Sequence, residues 1–163
     1  MTMLDLMHAI EQQPYASAIS HSQWLFPLFE IAHVLALTLV VGSVAMIDLR
    51  LLGVGNRERP VTELMGSVLP WTWGAFAIAA TFGLLLFSSK ASTYYVNIPF
   101  RIKMICMGLA ALNMLVFHGL LERDVATWDQ GTPPLRVRIA GGVSLALWIV
   151  IVAAGRWIGF TTQ

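Results

Sequence analysis

The stretch Phe29-Glu30-Ile31-Ala32-His33 places a carboxylate and an imidazole one helical turn apart. Trp24 to Leu28 precede it and Val34 to Val41 follow, an almost wholly apolar setting. Ionisable groups in such surroundings are functional candidates by default, because leaving water is costly for them. Imidazole is a common ligand for haem iron and other transition metals. A nearby carboxylate can orient such a site or carry protons. A second chemistry-bearing run is "RIKMICMGLAALNMLVFH", residues 101–118, with Arg101, Lys103, Met107 and His118. Arg156 stands near the end of the chain.

Depth along the helices sorts these residues into layers. Asp48, Glu122 and Arg138 mark one charged edge of three apolar segments. Glu30 is as far along the chain from Asp48 as Arg156 is from Arg138, and Lys103 is only one position further from Glu122. With a nearly constant rise of ~1.5 Å per residue these three share a level, where one anion and two cations can neutralise one another. His33 lies about one turn nearer the edge, at the same distance from Asp48 as Met107 is from Glu122. His118 stands only about one turn from Glu122. The two histidines therefore differ in depth by roughly three turns, ~16 Å along straight helices, too far for one iron. If His33 binds iron, its counterpart is Met107, Lys103, a water or nothing, and His118 serves a second site or a hydrogen bond.

At ~100° per residue, Lys103, Met107, Met114 and His118 share one stripe, and Glu30, His33, Leu37, Val41, Val44 and Asp48 another. Ala153-Ala154-Gly155 and Gly74, Ala75, Ala77, Ala79, Ala80 and Gly83 are small residues that suit close helix packing or a flat cofactor.

Composition says what must position these residues. Of 163 residues, 57% are hydrophobic and 12% charged, with mean hydropathy +0.72. This reads as an all-α integral membrane protein, one transmembrane domain over residues 1–163. Four segments are long enough to cross a bilayer, at about 24–47, 67–88, 102–121 and 138–160. Pro60, Pro70, Pro99, Pro133 and Pro134 stand where helices begin. Short loops predict an up-down four-helix bundle. The segment before Trp24 holds no Lys or Arg and no continuous apolar core, so no secretory signal is expected. Met3, Leu4, Leu6, Met7 and Ile10 predict a short interfacial helix.

Arg50, Arg57, Arg59, Arg123, Arg136 and Arg138 fall on one side, and Lys90, Arg101, Lys103 and Arg156 on the other. The bias places both termini outside. Trp24, Tyr94, Tyr95, Trp128 and Trp157 suit the interfacial belts. The 10 Lys+Arg and 9 Asp+Glu nearly cancel and do not point to nucleic acid. Cys106 stands alone, so no intramolecular disulfide or cysteine-based metal site exists. Zinc motifs, phosphate loops and a Ser-His-Asp pattern are absent.

Haem b is the leading cofactor, ligated by His33, with Arg101, Lys103 and Arg156 toward its propionates. The competing reading makes Glu30–Arg156 a structural ion pair and His33 a hydrogen-bonded helix contact. Copper, held by Met1, Met3, Met7 and His8, is a weaker alternative.

"WLFPLFEIAHVLALTLVVGSVAMIDLRLLG" (24–53) with "YYVNIPFRIKMICMGLAALNMLVFH" (94–118) resembles an uncharacterised bacterial family of small four-helix membrane proteins. More distantly, the chain is similar to HemJ-type protoporphyrinogen oxidases and to the membrane part of CopD-type copper proteins. The HemJ type has a His early in its first helix, then a Gly and an Arg-Leu pair, matched by His33, Gly42 and Arg50-Leu51. Its Lys opening the third helix and His toward the end match Lys103 and His118. This resemblance implies a haem or porphyrin site around His33 and Lys103. The resulting expectation is a membrane haem b protein with one haem or two, passing electrons between an outer-side donor protein and quinone, and forming a homo-oligomer. The alternatives are a porphyrinogen oxidase and a haem-free copper-handling or partner subunit.

Overall fold

The computed structural model describes residues 2–54, 59–129 and 131–161. Met1 and Arg57 of the sequence reading lie outside the described residues, as do the side chains of Glu122 and Arg123. The elements are α1 (Met3–Glu11), α2 (Pro14–His21), α3 (Leu25–Leu51), α4 (Val61–Ser89), α5 (Ala91–Val96), α6 (Ile98–Val116) and α7 (Leu135–Thr161). A π-helical turn at Phe117–Leu121 continues α6, and a 3-10 turn follows at Glu122–Thr127. No strand occurs among the described residues. The helices α3, α4, α6 with its π turn, and α7 are long and apolar enough to cross a membrane, so the chain is an all-α, multi-pass membrane bundle. Each begins and ends within a few residues of its expected span, apart from α4.

Local chemistry sets the helix ends. The Ser22 hydroxyl accepts hydrogen bonds from the amides of Trp24 and Leu25, opening α3. Gly53, at φ 81°, closes it with a backbone conformation that side-chain-bearing residues avoid. Asn97 caps α6 by accepting from the Phe100 amide, and its own amide donates to Thr161 Oγ1 at 2.8 Å. One buried side chain thus starts α6 and ties it to the last turn of α7. The N-terminal segment forms two helices rather than one, because Pro14 opens a fresh helix at its first turn.

Two antiparallel hairpins make the bundle. In α3/α4, Thr72 donates to Ser43 at 2.8 Å and Phe29 meets Phe82 with ring centroids 5.3 Å apart. In α6/α7, Asn113 donates to the Ala140 carbonyl at 3.0 Å. The hairpins join along α3 and α7, and the α4–α6 side is the loosely packed one. At the join, a Cβ on Gly141 would lie 3.0 Å from Leu51 Cβ and 3.1 Å from the Asp48 carbonyl oxygen. The start of α1 and the end of α7 lie at one end of the bundle, with α2 and α5. The α3–α4 and α6–α7 connections lie at the other end, called here the loop end.

The conventional core sits at the loop end, where Ile47, Leu51, Val61, Met65, Phe117, Trp128, Val137 and Ala140 pack together. Three sequence expectations change here. Trp128 is buried in this core rather than placed in an interfacial belt, because the chain after the 3-10 turn folds over the bundle end. Arg50 is 4% exposed and donates to the carbonyls of Arg59 (3.3 Å) and Asp129 (3.0 Å); it is an internal staple, not a loop charge. Pro70 sits inside α4, which starts at Val61. Proline supplies no amide to the carbonyl one turn earlier, here that of Gly66, and membrane helices tolerate that loss.

Asp129 closes the loop end from the other side. Its carboxylate accepts from the Thr62 amide (2.9 Å) and hydroxyl (2.6 Å). Burial opposes its ionisation, but the Thr62 and Val61 hydrogen bonds and the Arg50 charge outweigh that and hold its pKa below the usual 3.8. A carboxylate with a depressed folded pKa stabilises the fold above its unfolded value and loses that contribution as pH falls through the folded value. The melting temperature of detergent-solubilised wild type should therefore exceed that of Asp129→Asn at pH 7, and the gap should close as pH drops below about 4. Gly141→Ala should destabilise the protein by about 1–3 kcal/mol, since backbone is what its methyl meets. Gly42→Ala, with nothing within 4 Å of its Cβ position, should be neutral or mildly stabilising. Thermal unfolding followed by circular dichroism compares the two.

Candidate functional site

Two polar layers occupy the membrane-spanning part. The layer nearer the termini is built around His33. Its Nδ1 lies 2.7 Å from the Ala79 carbonyl oxygen on α4. A carbonyl only accepts, so Nδ1 carries the proton and Nε2 keeps its lone pair. The imidazole lies against Gly83, where a Cβ would come within 2.9 Å of Cε1. The small residues of α4 therefore seat the ring. The charges whose fields reach it are Lys103 of α6 and Glu30 of its own helix, so Lys103 acts on the ring although the count along the helices put the two about one turn apart in depth. Lys103 runs along Gly155 of α7, its Nζ 3.7 Å from the Cβ position there. It forms no ion pair among the described residues.

Other members of the expected cluster stay apart. Glu30 is exposed and makes no ion pair with Lys103 or Arg156. Equal depth did not guarantee equal facing. Burial, with the Glu30 charge adding to it, raises the pKa of the Tyr94 phenol above its usual range. Arg156 turns along its own helix and stacks over Phe160, 5.0 Å from the ring centre. Arg101 lines a groove outside the bundle with Met3, Met7, Phe87 and Met104. His8 engages Glu11 at 3.3 Å.

The second layer is a cavity of about 300 Å³ between all four long helices, in the loop half. Met107 and His118 line it; His33 does not. The two histidines thus belong to different layers. His118 stands on the π turn with Nδ1 3.0 Å from the Met114 carbonyl, and such turns recur at functional positions. The cavity also holds Asp48, whose place at the end of an apolar run suggested only a charged edge. Asp48 is 4% exposed, lies beside the Ser144 hydroxyl, and leaves Oδ2 without a hydrogen-bond partner. Its place on the His33 stripe is the sequence signal that it faces inward. No group of three or more His, Cys, Asp or Glu side chains able to hold a metal ion occurs among the described residues.

Sequence comparison assigns this arrangement to a family. The profile of the family of unknown function DUF6644 matches residues 25–161, which span all four long helices and both layers. The chain belongs to that family. No curated protein and no solved structure matches it. The matched region includes His33, Asp48, Lys103 and His118, while α1 and α2 lie before it.

The seating of His33 makes a non-additive prediction. Gly83→Ala should cost about 1–3 kcal/mol in wild type, because the imidazole has to move. In a His33→Ala background the added methyl meets space, and most of the cost should vanish. A double-mutant cycle of thermal stabilities measures the coupling.

Proposed function

We propose that this chain is a haem b protein of the bacterial inner membrane that carries electrons, with His33 as the iron ligand. The observation that carries this reading is the His33–Ala79 hydrogen bond. A ligating imidazole typically donates its other N–H to a carbonyl or carboxylate, which fixes tautomer and ring orientation. His33 has that arrangement in place, with Nε2 left to coordinate. The surroundings fit the group in two further respects. Gly83 and Gly155 give the space over their backbones to the His33 ring and the Lys103 stem, which seats both side chains between the helices. Lys103, half-buried in the spanning region and without an anionic partner among the described residues, suits a propionate.

When bound, haem b supplies reversible one-electron exchange. The protein's part is to hold the ring through His33, orient that imidazole through Ala79, balance negative charge through Lys103, and keep the site inside a low-dielectric bundle. Glu30 adds a negative field at the imidazole. The exposed Arg59, Arg136 and Arg138 at the loop end support a cytoplasmic loop end, with both termini periplasmic. The electrons then pass between an outer-side donor and a membrane quinone.

Protein purified from cells supplied with iron and 5-aminolevulinate should show a Soret band, with α and β bands on reduction by dithionite. His33→Ala should abolish them, His118→Ala should retain them, and Lys103→Met should shift the midpoint potential. A folded, colourless preparation that takes up no added haem overturns the reading. So does a spectrum that survives His33→Ala and disappears in His118→Ala.

A further inference from the structure

The cavity in the loop half contains more hydrogen-bonding capacity than the protein uses. Asp48 Oδ2 is buried without a partner. Asn113 spends one of its two amide N–H groups on the Ala140 carbonyl, leaving Oδ1 as an acceptor and one N–H as a donor. The His118 Nδ1 proton goes to the Met114 carbonyl, leaving Nε2 as an acceptor. Three residues with an unused acceptor atom therefore line one apolar space whose walls include Trp73, Phe76 and Trp148. An orphaned buried carboxylate oxygen is costly, and a cavity of about 300 Å³ is at the size of a small-molecule site.

The bundle also offers a way in. Its α4–α6 side is loosely packed, and the lining residues Trp73 and Ala111, one on each of those helices, are exposed. That side faces the hydrocarbon of a bilayer, so a lipid-soluble molecule reaches the cavity without crossing water.

We infer that this cavity binds a lipid-soluble aromatic molecule whose head group donates hydrogen bonds, with Asp48 as the principal acceptor. Aromatic walls take the ring, and the acceptor set takes hydroxyl or amine protons. A head group that only accepts would leave the ionised Asp48 carboxylate unpaired. The site supplies the small-molecule partner that electron transfer calls for, yet it rests on the cavity alone and not on haem ligation.

The test uses the full-length protein in phosphatidylcholine nanodiscs, wild type and His33→Ala, so that a missing haem and a missing ligand are told apart. The probes are a decyl-substituted hydroquinone, its dimethyl ether and a decyl-substituted aniline. Binding is read by tryptophan fluorescence quenching and by thermal shift. The hydroquinone or the aniline should bind at least about tenfold more tightly than the ether, and their order identifies the head group as hydroxyl or amine. Asp48→Asn should weaken the preferred probe about tenfold or more. Ala111→Trp, which fills the exposed mouth without touching Asp48, should block it while the protein still melts cooperatively. Equal binding of the ether and the donors overturns the proposal. So does the absence of binding to wild type, or binding indifferent to both Asp48→Asn and Ala111→Trp.

Discussion

At Gly141 the α3 and α7 backbones come into van der Waals contact, with the Asp48 carbonyl oxygen 3.1 Å from where a side chain would begin. This contact joins two otherwise self-contained hairpins. Each hairpin is fastened internally, α3/α4 through Ser43–Thr72 and His33–Ala79, and α6/α7 through Asn113–Ala140 and Asn97–Thr161. Lipid offers no hydrophobic drive between helices, so close backbone approach and interhelical hydrogen bonds carry association. A bundle closed tightly on one side and loosely on the opposite side encloses space. The cavity is the geometric remainder of that asymmetry, and Asp48 is in it because it sits at the crossing.

The buried polar groups follow two different logics. At the loop end, Arg50 and Asp129 spend their hydrogen bonds on carbonyls, amides and a hydroxyl of neighbouring segments. That chemistry holds the end shut. In the spanning region His33, His118 and Asn113 each commit one side to the backbone and leave another open, and Asp48 leaves an oxygen open entirely. The loop-end groups bond to neighbouring segments, though Arg50 Nη1 and Trp128 Nε1 stay unpaired there, and the candidate functional groups are half-used.

Much of the fold is legible in the sequence because bilayer thickness sets the length of an apolar run. That His33 and Lys103 lie within about one turn of each other in depth is legible too, since rise per residue is nearly constant along a helix. Facing is harder. Glu30, Lys103 and Arg156 share a depth, but tilt and side-chain direction turn Glu30 to the surface and Arg156 onto Phe160. Asp48 and Arg50 look from sequence like headgroup-level charges, because a charged pair ending an apolar run reads the same whether or not later chain covers it. Here Trp128 and its neighbours cover it, and they come from the far connection between α6 and α7. The Ala79 carbonyl that orients His33 belongs to the backbone, and no residue type could announce it.

Pro70 gives the bundle a mechanical asymmetry as well as a packing one. The missing amide leaves the Gly66 carbonyl without its usual donor, and the Thr72 hydroxyl shares its one proton between Ser43 and the Val68 carbonyl, 3.0 Å away in the same stretch. Both features soften a helix against bending. They fall beside Leu69 and Trp73 in the α4 wall of the cavity, on the side where no tight neighbour resists. On its other side α4 is tied to α3 through Thr72 and Ala79, while α6 is tied to α7 through Asn97 and Asn113 and α7 packs on both its partners. The volume enclosed therefore depends on how α4, fastened along its α3 side, bends toward or away from α6.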